Sequence, residues 1–210
     1  PVDGLGDVAK ALVRIVLDCS GSMNSKNRAG ETRINEARKA IKQLMTSLPA
    51  GIKVSIRVFS DDKVKDDNPV TITDEKDPRQ NEQIKIHTMN LKSRLLCSGR
   101  LVQGTAGRSF HGSINNASGQ YSLAHVETAL NALTPAHFTP LLKSMVEARD
   151  QDASPSIADG ESVTMLVLTD GADTSEGIIK SKDDPRINII RSSFSRQFKD
   201  TKMSLQLILF

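Results

Sequence analysis

Tryptophan is absent from this chain of 210 residues, tyrosine occurs once and phenylalanine six times. Any sizeable core must therefore be largely aliphatic, and basic residues have few aromatics to interleave with, which argues against nucleic-acid binding. Charge of one sign is also lacking. Twenty-eight Lys and Arg stand against 25 Asp and Glu, a formal net charge of +3, so no strong electrostatic field marks a polyanionic partner. Only two cysteines occur, Cys19 and Cys97, too few for a disulfide framework and best suited to reduced thiols. No apolar run is long enough for a membrane span, and the first residues lack a signal-peptide pattern. The reduced-looking cysteines and the low aromatic content favour a cytoplasmic protein, with a secreted one as the alternative. The chain opens on Pro1 and stops at Phe210 within an apolar run, so it reads as a piece of a longer protein.

What is present is a hydrophobic content of 38% in a length suited to one domain. Residues 13–17 form a β-branched apolar run that reads as a buried strand. Residues 33–48 carry Ile34, Ala37, Ile41, Leu44, Met45 and Leu48 on one helical stripe, and Pro49 and Gly51 end it. Residues 53–59 alternate Val54, Ile56 and Val58 against polar partners, a second strand. Residues 70–73 predict a short edge strand paired back on it. From 74 to 124 the pattern deteriorates into polar sequence with patches of apolar alternation, which we read as an ordered insertion. Helices are expected at 126–133, 140–149 and 187–198, and strands at 163–169 and 205–210. The expected fold is thus a three-layer, doubly wound α/β domain over 1–210. Its sheet is mainly parallel with one antiparallel edge strand, and helices cover both faces.

The chemistry gathers at strand ends. The first strand runs into Asp18, and Ser20 and Ser22 follow at alternate positions. A carboxylate and two hydroxyls on one tight loop suit a hard divalent cation of the Mg²⁺ type. In an open parallel sheet, ligands bind outside the carboxyl ends of the strands. That rule brings Asp170, after the strand 163–169, to the same rim. Thr139, just before the helix-opening Pro140, supplies a further oxygen.

Asp18, Ser20 and Ser22, the step Thr139-Pro140-Leu141 and the run Thr169-Asp170-Gly171 stand in the order and spacing of the von Willebrand factor type A domain. The sequence resembles that family from residue 13 to 209 outside the 74–124 segment, with His137-Phe138 where many members carry two glycines. The resemblance implies a Rossmann-like fold whose final helix is missing here, and a metal-ion-dependent adhesion site. Ser20, Ser22 and Thr139 would be hydroxyl ligands, and Asp18 and Asp170 direct or water-bridged carboxylates. Mg²⁺ is the implied ion, with Mn²⁺ or Ca²⁺ as substitutes. The implied function is protein–protein recognition through a partner's Asp or Glu, without catalysis. Scaffolds of this kind also imply an AAA-type ATPase or a ubiquitin or stress system as partner.

Other readings carry less. Asp173 and Glu176 follow Asp170 and would tune its charge. Cys19 has no histidine nearby in sequence to act as its base, and the four histidines lack ligand spacing. Ser20 occupies the place where an aspartyl phosphatase needs a second carboxylate, and no Gly-rich phosphate loop with its lysine is present. Two alternatives remain: the recognition arm of a larger enzyme, and an RNA-associated domain using Lys92, Arg94, Arg100 and Arg108.

Overall fold

A computed structural model describes residues 11–62, 70–71, 85–86, 93–101, 120–137, 139–153, 160–171, 195, 198–199 and 203–210. In chain order, strand β1 (Ala11–Asp18) leads through a short 3₁₀ turn (Gly21–Asn24) to helix α1 (Arg33–Ser47), then strand β2 (Lys53–Phe59). Two two-residue strands follow, β3 (Val70–Thr71) and β4 (Lys85–Ile86), then β5 (Ser93–Leu101) and β6 (Gln120–Tyr121). Helices α2 (Leu123–Asn131) and α3 (Leu141–Glu147) come next, the latter running on as a π-helical turn (Ala148–Ala153). Strands β7 (Ser162–Thr169) and β8 (Met203–Leu209) complete the described chain.

The main sheet has six strands in the order β6-β5-β2-β1-β7-β8. Strands β2, β1, β7 and β8 run parallel, with Leu17 beside Val58 on one side and Leu168 on the other. The β2–β5 ladder is antiparallel. This is the layered, mainly parallel α/β fold expected from strand alternating with helix.

Strand alternation sorts β1 into two faces. Ile15 and Leu17 pack with Ile34, Ala37, Ile41 and Met45 of α1 and with Val126 and Leu130 of α2. On the opposite face Val16, Phe59, Met165 and Val167 pack with Met145 of α3 and Ala148. The α1 stripe explains the first cluster. Its four buried residues recur three or four apart, while Leu44 and Leu48 are half-buried against the same core. Cys19 and Cys97 are both free and both buried in that cluster.

The expected edge strand at 70–73 is corrected. Val70 and Thr71 pair with Ile86 and Lys85 in a separate two-stranded sheet. The place beside β2 belongs to β5, from within the 74–124 segment. Nine-residue β5 matches the full length of β2, from Lys53 opposite Arg100 to Phe59 opposite Ser93. Its register shifts between Ile56, opposite Cys97, and Arg57, opposite Leu95. Leu96 is thus the extra residue of a β-bulge, and it is buried together with Cys97. Two adjacent inward residues break the period of two, which is why alternation did not reveal this strand.

The expected helix 187–198 and the residues Asp173 and Glu176 lie outside the described residues, apart from positions 195 and 198 of that helix. Among the described residues, no helix is long and apolar enough to cross a membrane.

Candidate functional site

Asp18 ends β1 on the α3 face of the sheet, the face of Leu12, Arg14 and Val16, and its residue is fully buried. Its carboxylate is fixed from two directions. Oδ1 accepts the amide N–H of Ser20 at 2.7 Å, and Oδ2 accepts the hydroxyl of Thr169 at 2.6 Å. Thr169 is the last residue of β7, the parallel neighbour of β1. Register therefore sets two side chains 151 residues apart into one hydrogen bond. Burial pushes the Asp18 carboxyl above its ordinary value, and the nearby Asp170 charge adds to that. The hydrogen bonds from Thr169 and Ser20 oppose the rise.

Past Asp18 the chain turns outward. Ser20 Oγ and Ser22 Oγ lie 3.0 Å apart, and the Ser22 hydroxyl donates to Asp170 Oδ1 at 2.8 Å. The other oxygen of Asp170 accepts from Arg33 Nη1 at 2.6 Å. Asp18, Ser20, Ser22 and Asp170 thus form one connected arc, buried at Asp18 and exposed at Ser22.

The loop that precedes Thr139 is tied to this rim by its backbone. The Ala136 amide donates to the carbonyls of Cys19 (2.9 Å) and Ser60 (3.1 Å), and the Gly21 amide donates to the His137 carbonyl (3.1 Å). Thr139 itself is buried, two residues beyond that contact. His137 takes the backbone conformation that two glycines would adopt freely, with φ of +59°. A third loop braces the same segment. Asp61, just past β2, is fully buried; its Oδ1 accepts the Thr134 amide at 3.0 Å and its Oδ2 pairs with Arg94 of β5. Arg38 of α1 ties in the start of that loop through the carbonyls of Leu130 and Leu133.

Of the five residues named from the sequence, hydrogen bonds connect Asp18, Ser20, Ser22 and Asp170, while Thr139 lies two residues past the His137 contact; Arg33, Asp61 and the hydroxyl of Thr169 were missed. An aspartate close behind a strand's apolar run, as at Asp61 with Ser60 between, is a looser form of the signal that singled out Asp18. Arg33 left a fainter one, a base at the first position of a helix. His125 and Cys19 fall into ordinary roles, and His87, His111, Lys92 and Arg108 lie outside the described residues. The Nδ1 of His125 accepts the Ser122 amide at 3.1 Å, so this histidine closes the start of α2. Burial, with the charge of Asp61, pushes the Cys19 thiol up to about 12, far from nucleophilic.

Chemically, the connected arc offers the hydroxyls of Ser20 and Ser22 and the carboxylates of Asp18 and Asp170, all hard oxygen donors. Among the described residues there is no group of three or more His, Cys, Asp and Glu placed to hold a metal. Hydroxyl and carboxylate oxygens are the donor type that hard cations prefer.

Residues 13–97 match the family model described as the von Willebrand factor type A domain. Over 199 residues the chain is 30% identical to the uncharacterized protein YwmC of Bacillus subtilis (strain 168), covering 91% of this chain and 70% of that protein. The chain belongs to the von Willebrand factor type A family. Among solved structures it is similar to a von Willebrand factor type A protein from Catenulispora acidiphila. That match has 16% identity and a TM-score of 0.52, covering 94% of this chain and 32% of that one. It is also similar to the von Willebrand factor domain of the type V pili tip protein Mfa5 from Porphyromonas gingivalis. There the identity is 14% and the TM-score 0.42, over 78% of this chain and 38% of that one. The chain thus spans about a third of the length of each of these two solved structures. Domains of this family are typically interaction modules rather than enzymes.

Proposed function

We propose that this von Willebrand factor type A domain is a metal-dependent protein-recognition module, with Asp18, Ser20, Ser22, Thr139 and Asp170 holding Mg²⁺, or Mn²⁺ or Ca²⁺ in its place. The observation that carries the reading is the oxygen arc. Its link from Ser22 to Asp170 joins side chains 148 residues apart, and it opens to solvent at Ser22. A bound Mg²⁺ supplies a positive charge with an open coordination place for a partner's Asp or Glu. The residues of this chain do the rest. The hydroxyls of Ser20, Ser22 and Thr139 donate neutral oxygens, so the charge stays only partly quenched. Asp18, locked by Thr169 and the Ser20 amide, orients the serine loop. The reading extends to a cytoplasmic scaffold whose protein partner belongs to an AAA-type ATPase, ubiquitin or stress system.

Affinity capture of partners from a lysate with Mg²⁺ or with EDTA, using wild type and Asp18→Ala, tests the module. Capture that needs Mg²⁺ and fails with the folded variant supports it; equal capture under all conditions removes it.

A further inference from the structure

Arg33 stands where local physics disfavours a cation. It opens α1, and the positive end of the helix dipole favours an acidic residue there. Departures from a local preference of this kind concentrate at functional sites. Its backbone is pinned by the Arg33 amide donating to the Ser25 carbonyl at 3.1 Å. Its guanidinium meets Asp170 Oδ2 at 2.6 Å, while Ser22 occupies Asp170 Oδ1. One carboxylate therefore bridges the serine loop and the arginine. The Asp170 side chain is only 1% exposed, but that of Arg33 is 35% exposed, so the arginine side chain is partly open to solvent.

We propose that Arg33 is the specificity-determining residue of this rim, setting its charge so that the occupied site selects an anionic carboxylate ligand. The inference rests on the metal-dependent reading above. Two rim carboxylates offset much of a dication's charge and weaken its attraction for an acidic side chain. The guanidinium cancels Asp170, so the occupied rim keeps a net positive charge. It also holds one oxygen of Asp170 away from the ion, which favours a neutral hydroxyl or water in that place. The same residue thus weakens cation binding and strengthens binding of the incoming carboxylate. A residue that only supported the fold would move both in the same direction.

Two titrations on the full chain separate these effects. Mn²⁺ alone is added and its free fraction read by electron paramagnetic resonance. Acetate is then added to the Mn²⁺-loaded protein, and loss of water-proton relaxation enhancement reports a carboxylate displacing metal-bound water. Arg33→Gln is expected to bind Mn²⁺ roughly three- to tenfold more tightly and acetate more weakly by a similar factor, as one charge removed at close range dictates. Arg33→Lys keeps the charge and is expected to retain wild-type acetate affinity, and it serves as the folded control. Unchanged affinities in Arg33→Gln, or both weakened together, overturn the proposal. Asp18→Ala distinguishes this from failure of the underlying reading. If that variant binds Mn²⁺ as wild type does, the ion is not held at this rim at all.

Discussion

The Gly21 amide donates to the His137 carbonyl across 3.1 Å, bolting the serine loop to the loop that carries Thr139. His137 holds a left-handed backbone at this contact, with φ of +59°. An L-residue there costs about 1–2 kcal/mol relative to its preferred regions. His137→Gly relieves that strain but adds unfolded-chain entropy of about 0.5–1 kcal/mol. Its stability is expected to stay within about 1 kcal/mol of wild type. His137→Val, β-branched in the same conformation, is expected to lose about 1–3 kcal/mol. Urea unfolding of the two variants checks this; equal stability of Val and Gly would contradict it.

The pair Asp61–Arg94 braces the same loop from below. Asp61 is fully buried, so removing Arg94 leaves a charge with its main counter-ion gone. Arg94→Met is expected to destabilise by about 3–5 kcal/mol. The double variant with Asp61→Asn should lose clearly less than the sum of the single losses, because the stranded charge disappears. A double-mutant cycle in urea measures the coupling, and additive losses would remove the pair as a brace.

Thr169 holds Asp18 by a 2.6 Å hydrogen bond in a fully buried setting. Thr169→Val keeps the shape but strips one donor from a buried carboxylate. The expected loss is about 1–3 kcal/mol, largely recovered by Thr169→Ser. Serine and valine variants of equal stability would show that volume, and not the hydroxyl, matters at this position.

Both thiols are pushed up to about 12 by burial, against the ordinary value of 9.0. As pH rises, the unfolded chain releases these protons before the folded one does. The stability they contribute is therefore full below pH 9.0 and is lost as pH climbs towards about 12. The urea midpoint should fall across that window, and less steeply in a Cys97→Ala variant. Neither cysteine should react with iodoacetamide at about pH 8 until the protein unfolds. Rapid alkylation of the native chain would count against this burial.

Period alone determined much of this protein. The α1 stripe from Ile34 to Met45, the β2 alternation of Val54, Ile56 and Val58, and the oxygen donors after Leu17 and Thr169 are local patterns that any fold burying them must respect. The tertiary structure decided what depends on partners distant in sequence. β5 displaced residues 70–73 beside β2 because its length and its bulge at Leu96 match that strand, and no local period encodes a bulge. The company kept by Asp170, with Ser22 on one oxygen and Arg33 on the other, follows from strand order and helix placement. Propensity acts through neighbours a few residues away, whereas charge pairing across a rim requires the whole sheet to be assembled first.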